Sequence, residues 1–145
     1  MLPHTHILFG GIFTFLIWLF APQTPIFYLL IIFLASFLID FDHYAASVFK
    51  TGKFGLSHSF EYHKKLTQQE KKDVKQGIRR KSDFHLFHTI EFHALVGLMS
   101  FLWVGFLYVF IGMVFHSLLD LISLANEGII HRREFFFFNW LRKNI

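Results

Sequence analysis

The stretch ILFGGIFTFLIWLFAPQTPIFYLLIIFLASFLIDFDH, residues 7–43, decides how the chain is built. From residue 7 to residue 39 it holds no Asp, Glu, Lys or Arg, and it then ends in Asp40-Phe41-Asp42-His43. Two apolar blocks, 7–20 and 26–39, flank the uncharged turn Ala21-Pro22-Gln23-Thr24-Pro25. Each block is shorter than the roughly 20 residues that span a bilayer, so polar flanks or local thinning must make up the difference. A helical hairpin buried in a soluble protein would show the same turn, but unbroken exclusion of charge speaks for a membrane. No Lys or Arg precedes the first block and no small-residue cleavage site follows it, so it reads as a retained helix.

The pattern recurs downstream, where residues 94–119 again lack charge. The whole apolar stretch 84–125 has no Pro. As one helix it would be about 60 Å long, twice the bilayer core, so it must fold back near residues 105–108. The expectation is an all-α, polytopic membrane protein with one domain over 1–145. It is a four-helix transmembrane bundle with helices at 5–20, 25–43, 82–104 and 106–124, a loop at 44–81 and an interfacial tail at 126–145. Ten of the fourteen Lys and Arg residues lie in 50–81, and the other four follow the last apolar block. By the positive-inside rule this places the loop and both termini in the cytoplasm of a multi-pass cell-membrane protein. Residues 61–81 read as a charged, solvated helix. Its basic face suits anionic lipid headgroups, at about 1 kcal/mol per basic residue. The lipid bilayer is the expected partner and nucleic acid is not; the oligomeric state is left open.

Composition agrees. The chain is 54% hydrophobic and 17% charged, against roughly 25% charged in a soluble domain. It has no cysteine and ten histidines, so a metal would be held by imidazole and carboxylate. On the four-helix topology, His6, Asp40, Asp42, His43, His88, Glu91, His116 and Asp120 all map to one mouth of the bundle. Asp40/His43 and His88/Glu91 are three apart and His116/Asp120 four apart, spacings that put each pair on one helix face. Ionisable groups at membrane depth are costly and usually pair inside the bundle. Four carboxylates with no Lys or Arg among them call for a divalent cation, and nitrogen and oxygen ligands without sulfur suit Zn, with Mn or Fe as alternatives. The expected ligands are His6, Asp40, Asp42, His43, His88, His116 and Asp120. Asp42 and Glu91 are the expected catalytic residues, Glu91 as general base or further ligand.

Thr5-His6-Ile7, Asp40-Phe41-Asp42-His43 and His116-Ser117-Leu118-Leu119-Asp120, in that order and with Gly128 downstream, resemble the YdjM-like family of predicted membrane-bound metal-dependent hydrolases. That family's third element, His-Arg-Gly-x-Thr-His-Ser, has two partial counterparts, one around His58 and one around His88. The resemblance implies hydrolysis of a phosphoester, in a lipid among other substrates. A metal or proton transporter and a non-enzymatic membrane scaffold are the rival readings. A topology reporter fused after Ile145, or inserted near Gln69, should read cytoplasm; a signal from the far side at either position contradicts the expected topology.

Overall fold

The computed structural model describes residues 3–145, which form seven α-helices and two 3-10 turns with no strand. The helices are α1 (Pro3–Phe20), α2 (Ile26–Leu38), α3 (Phe41–Thr51), α4 (Leu56–Lys75), α5 (Ile90–Met99), α6 (Gly105–Asn126) and α7 (Phe137–Asn144). The 3-10 turns are Leu86–His88 and Ile130–Arg132. α2 and α6 are the central pair, with α1 against α2 and α5 against α6.

Two stretches, Ile26–Thr51 and Gly105–Asn126, are long and apolar enough to cross a membrane. Only 28% and 22% of their most apolar windows are buried, whereas the core helix of a soluble protein is mostly covered. Leu30, Leu34, Leu107, Leu118 and Ile122 all point outward on these helices.

Small residues let the central helices meet. A Cβ on Gly112 would lie 2.5 Å from the Ile32 carbonyl oxygen and 2.8 Å from the Ala35 Cβ. A Cβ on Gly10 would overlap the Ser36 hydroxyl. Ser36, fully buried, therefore sits where α1, α2 and α6 touch. Packing of this kind, through small residues, is what holds helices together where lipid removes the hydrophobic drive.

Three expected elements differ. The second helix does not run unbroken over 25–43. It steps at Asp40, whose N–H pairs with the Phe37 carbonyl at 3.3 Å, and resumes as α3 to Thr51. The i−3 bond leaves the Ser36 carbonyl without its usual i+4 donor. The charged helix is α4, which starts earlier than expected, at Leu56, and stops at Lys75. The third helix is α5 alone, ten residues and not the whole of 82–104. Thr89 sets its start: the backbone is extended there and the hydroxyl accepts from the Phe92 N–H at 3.3 Å. Ten residues rise about 15 Å, half the hydrocarbon core. The reversal falls at residues 100–104, just ahead of the expected place, and α6 covers the expected fourth helix.

The polar half is clamped to this frame. Asp83 accepts from Lys50 Nζ and from the Tyr62 hydroxyl, both at 2.5 Å, which fixes the segment leading to His85 and His88. Burial raises the Asp83 carboxyl, but these two bonds more than reverse it and hold the group below the usual carboxylate range. The tail is anchored rather than loose. Arg132 reaches Asp73 of α4 at 3.3 Å, Ser82 N–H donates to the Arg132 carbonyl, and Ile90 N–H donates to that of Phe135.

Gly112→Ala should lower the thermal stability of detergent-solubilised protein by about 1–3 kcal/mol, the usual cost of overpacking. Gly97→Ala meets only the Phe110 ring at 3.5 Å, ordinary contact, and should leave stability equal or higher.

Candidate metal centre

Four side chains from three parts of the chain converge at one end of the α2–α6 pair. Asp40 stands at the step between α2 and α3. His88 ends the 3-10 turn before α5, and His116 and Asp120 share one face of α6, one turn apart. One ligand atom from each lies within 4.8 Å of every other. His88 Nε2 is 3.1 Å from His116 Nε2, 3.6 Å from Asp40 Oδ1 and 3.7 Å from Asp120 Oδ2. His116 Nε2 is 3.3 Å from Asp40 Oδ1 and 3.5 Å from Asp120 Oδ2. A tetrahedral ion with ligands at about 2.0–2.2 Å requires ligand–ligand edges of about 3.3–3.6 Å. The five distances bracket that range.

The tautomers sharpen the case. His88 Nδ1 is 3.0 Å from Asp42 Oδ2, an acceptor, so this nitrogen carries the proton. His116 Nδ1 is 2.9 Å from the Ser36 carbonyl, the one released by the step at Asp40, and it too must donate. In their neutral forms both imidazoles present an Nε2 lone pair, and the two face each other. The arrangement is one that could hold a metal ion. Orienting each ligand imidazole through a carboxylate or carbonyl on its other nitrogen is the usual outer shell of a metal-bound histidine. His88 and His116 side chains are fully buried, and Asp40 lies at the lip with 19% of its side chain exposed.

Charge points the same way, with one correction. The cluster was expected to lack Lys and Arg, but Arg133 Nη1 lies 3.1 Å from Asp120 Oδ2. The tail, returning after α6, brings it there. Asp40, Asp42 and Asp120 thus bring three carboxylates to this end of the bundle, with the Arg133 guanidinium against one of them.

The remaining expected residues surround the four. Asp42 is not at the tetrahedron; it orients His88 through Oδ2, which also accepts the Phe87 N–H at 3.0 Å. His43 Nε2 is 3.5 Å from Asp40 Oδ1 and belongs to a neighbouring group with Asp42 and His88. His6 is fully buried, stacks on His116 at 3.9 Å and reaches the other Asp120 oxygen at 3.2 Å. It backs the ligand shell and is not one of the four. Glu91 is a plain correction. Its carboxylate accepts from the Phe137 and Phe138 N–H groups at 2.9 and 3.3 Å, capping the start of α7, and is not in either group. Between the two candidates for the third element, His88 is in the cluster and His58 is exposed on α4. Ser36 and Arg133 escaped sequence reasoning. A backbone carbonyl carries no residue-type signal, but the return of the tail to this end was readable from the short connection after α6.

Fold and site together define an all-α chain with two helices of membrane-crossing length and a His/Asp group able to hold a metal ion. Comparison with protein-family models, with curated proteins and with solved structures finds no match in any of the three.

Chelation should lower thermal stability, and His116→Ala should reproduce that loss while His58→Ala should not. Metal held at neutral pH should be released on acidification, because protons then compete for the imidazole and carboxylate ligands. Equal stability of the two variants, with no effect of chelator, contradicts the site.

Proposed function

We propose that the protein is a zinc-dependent hydrolase embedded in the cell membrane, acting on a phosphoester or lipid substrate at the cytoplasmic face. The observation that carries this reading is the tetrahedral spacing of Asp40, His88, His116 and Asp120 around two lone pairs held face to face. In the proposed topology α2 and α6 cross the bilayer and α1 and α5 complete a four-helix bundle, the membrane thinning around the short α5. Both termini and α4 then lie on the cytoplasmic side, with the basic residues of α4 facing anionic headgroups. The resemblance to the YdjM-like hydrolases is consistent with this arrangement and adds the phosphoester.

A divalent ion bound there supplies Lewis acidity that activates water and polarises a phosphoryl or acyl oxygen. The chain's own contributions are separable. His88 and His116 present their Nε2 atoms because Asp42 and the Ser36 carbonyl hold the opposite protons. Asp40 and His43, with 19% and 34% of their side chains exposed, form the side from which a substrate can approach. Arg133 sits against Asp120, where a guanidinium can pair with a substrate oxyanion in the bidentate manner suited to phosphate.

Zinc-loaded protein in mixed micelles should cleave a model phosphodiester or a phospholipid. Asp42→Asn should reduce turnover roughly 10–100-fold while zinc remains bound, the usual effect of losing an outer-shell partner. Fully zinc-loaded protein that hydrolyses no phosphoester or lipid ester would remove the hydrolase reading and leave a metal-stabilised membrane protein.

A further inference from the structure

α3 carries the membrane-length stretch beyond the His/Asp cluster. Ile26–Thr51 is 26 residues long, about 39 Å at 1.5 Å per residue. That exceeds a hydrocarbon core of roughly 30 Å but fits within the 40–45 Å that includes the headgroups. With Ile26 at one edge of the core, residues 49–51 therefore fall at the level of the opposite headgroups.

There the chain reverses. Gly52, at φ +69°, closes α3 with its N–H on the Val48 carbonyl, the left-handed cap that glycine adopts most easily. The Tyr44 hydroxyl donates to the Phe54 carbonyl and ties the turn back onto α3. α4 packs inward through buried Ser59 and through His63, whose Nε2 lies 3.0 Å from the His43 carbonyl. Leu56, Phe60 and Lys64, four residues apart, fall on a different, exposed side of the helix.

The tip so built is apolar and uncovered. Phe49 and Phe54 are 90% and 77% exposed, and Leu56 and Phe60 are also mostly exposed. None of the four belongs to the charge-free blocks, so the spans themselves do not explain them. Apolar side chains grouped on a surface mark an interaction site. Charge indicates the partner. Residues 43–60 contain no Asp or Glu, and Lys53 and Lys64 are exposed. Lysine is depleted from protein–protein interfaces. Phenylalanine beside lysine suits an anionic bilayer surface, where rings enter the acyl boundary and ammonium groups stay at the phosphates.

We propose that the tip of the α3–α4 hairpin is a membrane anchor: Phe49, Phe54, Leu56 and Phe60 insert into an anionic phospholipid leaflet, with Lys53 and Lys64 at its headgroups. The proposal rests on the membrane-embedded reading above. It adds to the attraction of the basic α4 residues an apolar insertion that fixes the hairpin against the bilayer.

The chain has no cysteine, so a single spin label can be placed at Ser57→Cys, which leaves all four apolar side chains intact. The full-length protein goes into phosphatidylcholine nanodiscs with and without phosphatidylglycerol. The label is read by its accessibility to oxygen, which concentrates in lipid, and to a water-soluble nickel chelate. Labels at Leu30→Cys on α2 and at Lys65→Cys, on the far side of α4 from Phe60, supply the lipid and water references. In anionic discs the oxygen-to-nickel ratio at Ser57→Cys should exceed that at Lys65→Cys several-fold, and should fall toward it when Phe54→Ser and Phe60→Ser are added. Equal ratios at Ser57→Cys and Lys65→Cys overturn the anchor while a lipid-exposed Leu30→Cys leaves the membrane reading standing. Shielding from both reagents, the sign of a protein partner or a second copy, overturns it too, as does a ratio that anionic lipid does not raise. A Leu30→Cys label that reads as water overturns the membrane reading and the anchor together.

Discussion

Two imidazole nitrogens 3.1 Å apart, each with its proton committed to the opposite side of the ring, set the condition that the rest of this structure meets. Lone pairs do not approach to that distance unless something positive lies between them. A shared proton would satisfy the two nitrogens alone. It would leave Asp40 Oδ1 and Asp120 Oδ2, each within 3.7 Å of both nitrogens, without a reason to converge on the same point. A metal ion held among them would account for all four atoms at once.

The condition reaches outward into the backbone. Had α2 continued through Asp40 with regular i−4 bonding, the Ser36 carbonyl would be occupied and His116 would lack its Nδ1 acceptor. The same step turns Asp40 toward the cluster and sends Asp42 to His88. The close approach of α6 to α2, which needs Gly112, is what lets His116 reach across to Ser36. Helix packing, a local change in hydrogen bonding and the tautomer of one histidine are thus a single arrangement. The tail contributes from the far end of the chain, where Arg133 engages Asp120 and Arg132 ties the segment to Asp73.

How much of this could be read in the residues differs element by element. The charge-free blocks identified apolar helical segments, two of which lie in helices long enough to cross a membrane, because exclusion of charge survives any detail of packing. Four-residue spacing put His116 and Asp120 on one face of α6, whereas Asp40 and His88 reach the cluster from the step after α2 and the 3-10 turn before α5, not from a shared helix face with His43 or Glu91. The extent of α5 was not legible. Residues 82–89 carry no Pro or Gly, and the tertiary clamp of Asp83 together with the local cap at Thr89 stops helix there. Glu91 was assigned to the cluster on spacing alone. Its first-turn position equally suits a carboxylate that caps α7, and nothing local distinguishes the two. Asp42 was identified as important, but which of its oxygens does what depends on neighbours 40 or more positions away.

The most direct test of the central claim is X-ray absorption at the zinc edge on protein loaded with one equivalent of zinc. The structure calls for four nitrogen or oxygen ligands at about 2.0–2.1 Å, with the outer-shell scattering of two imidazoles, and one imidazole fewer in His88→Ala. A six-coordinate, oxygen-only shell, or a wild-type spectrum that His88→Ala leaves unchanged, would show that zinc binds elsewhere and that the facing nitrogens share a proton.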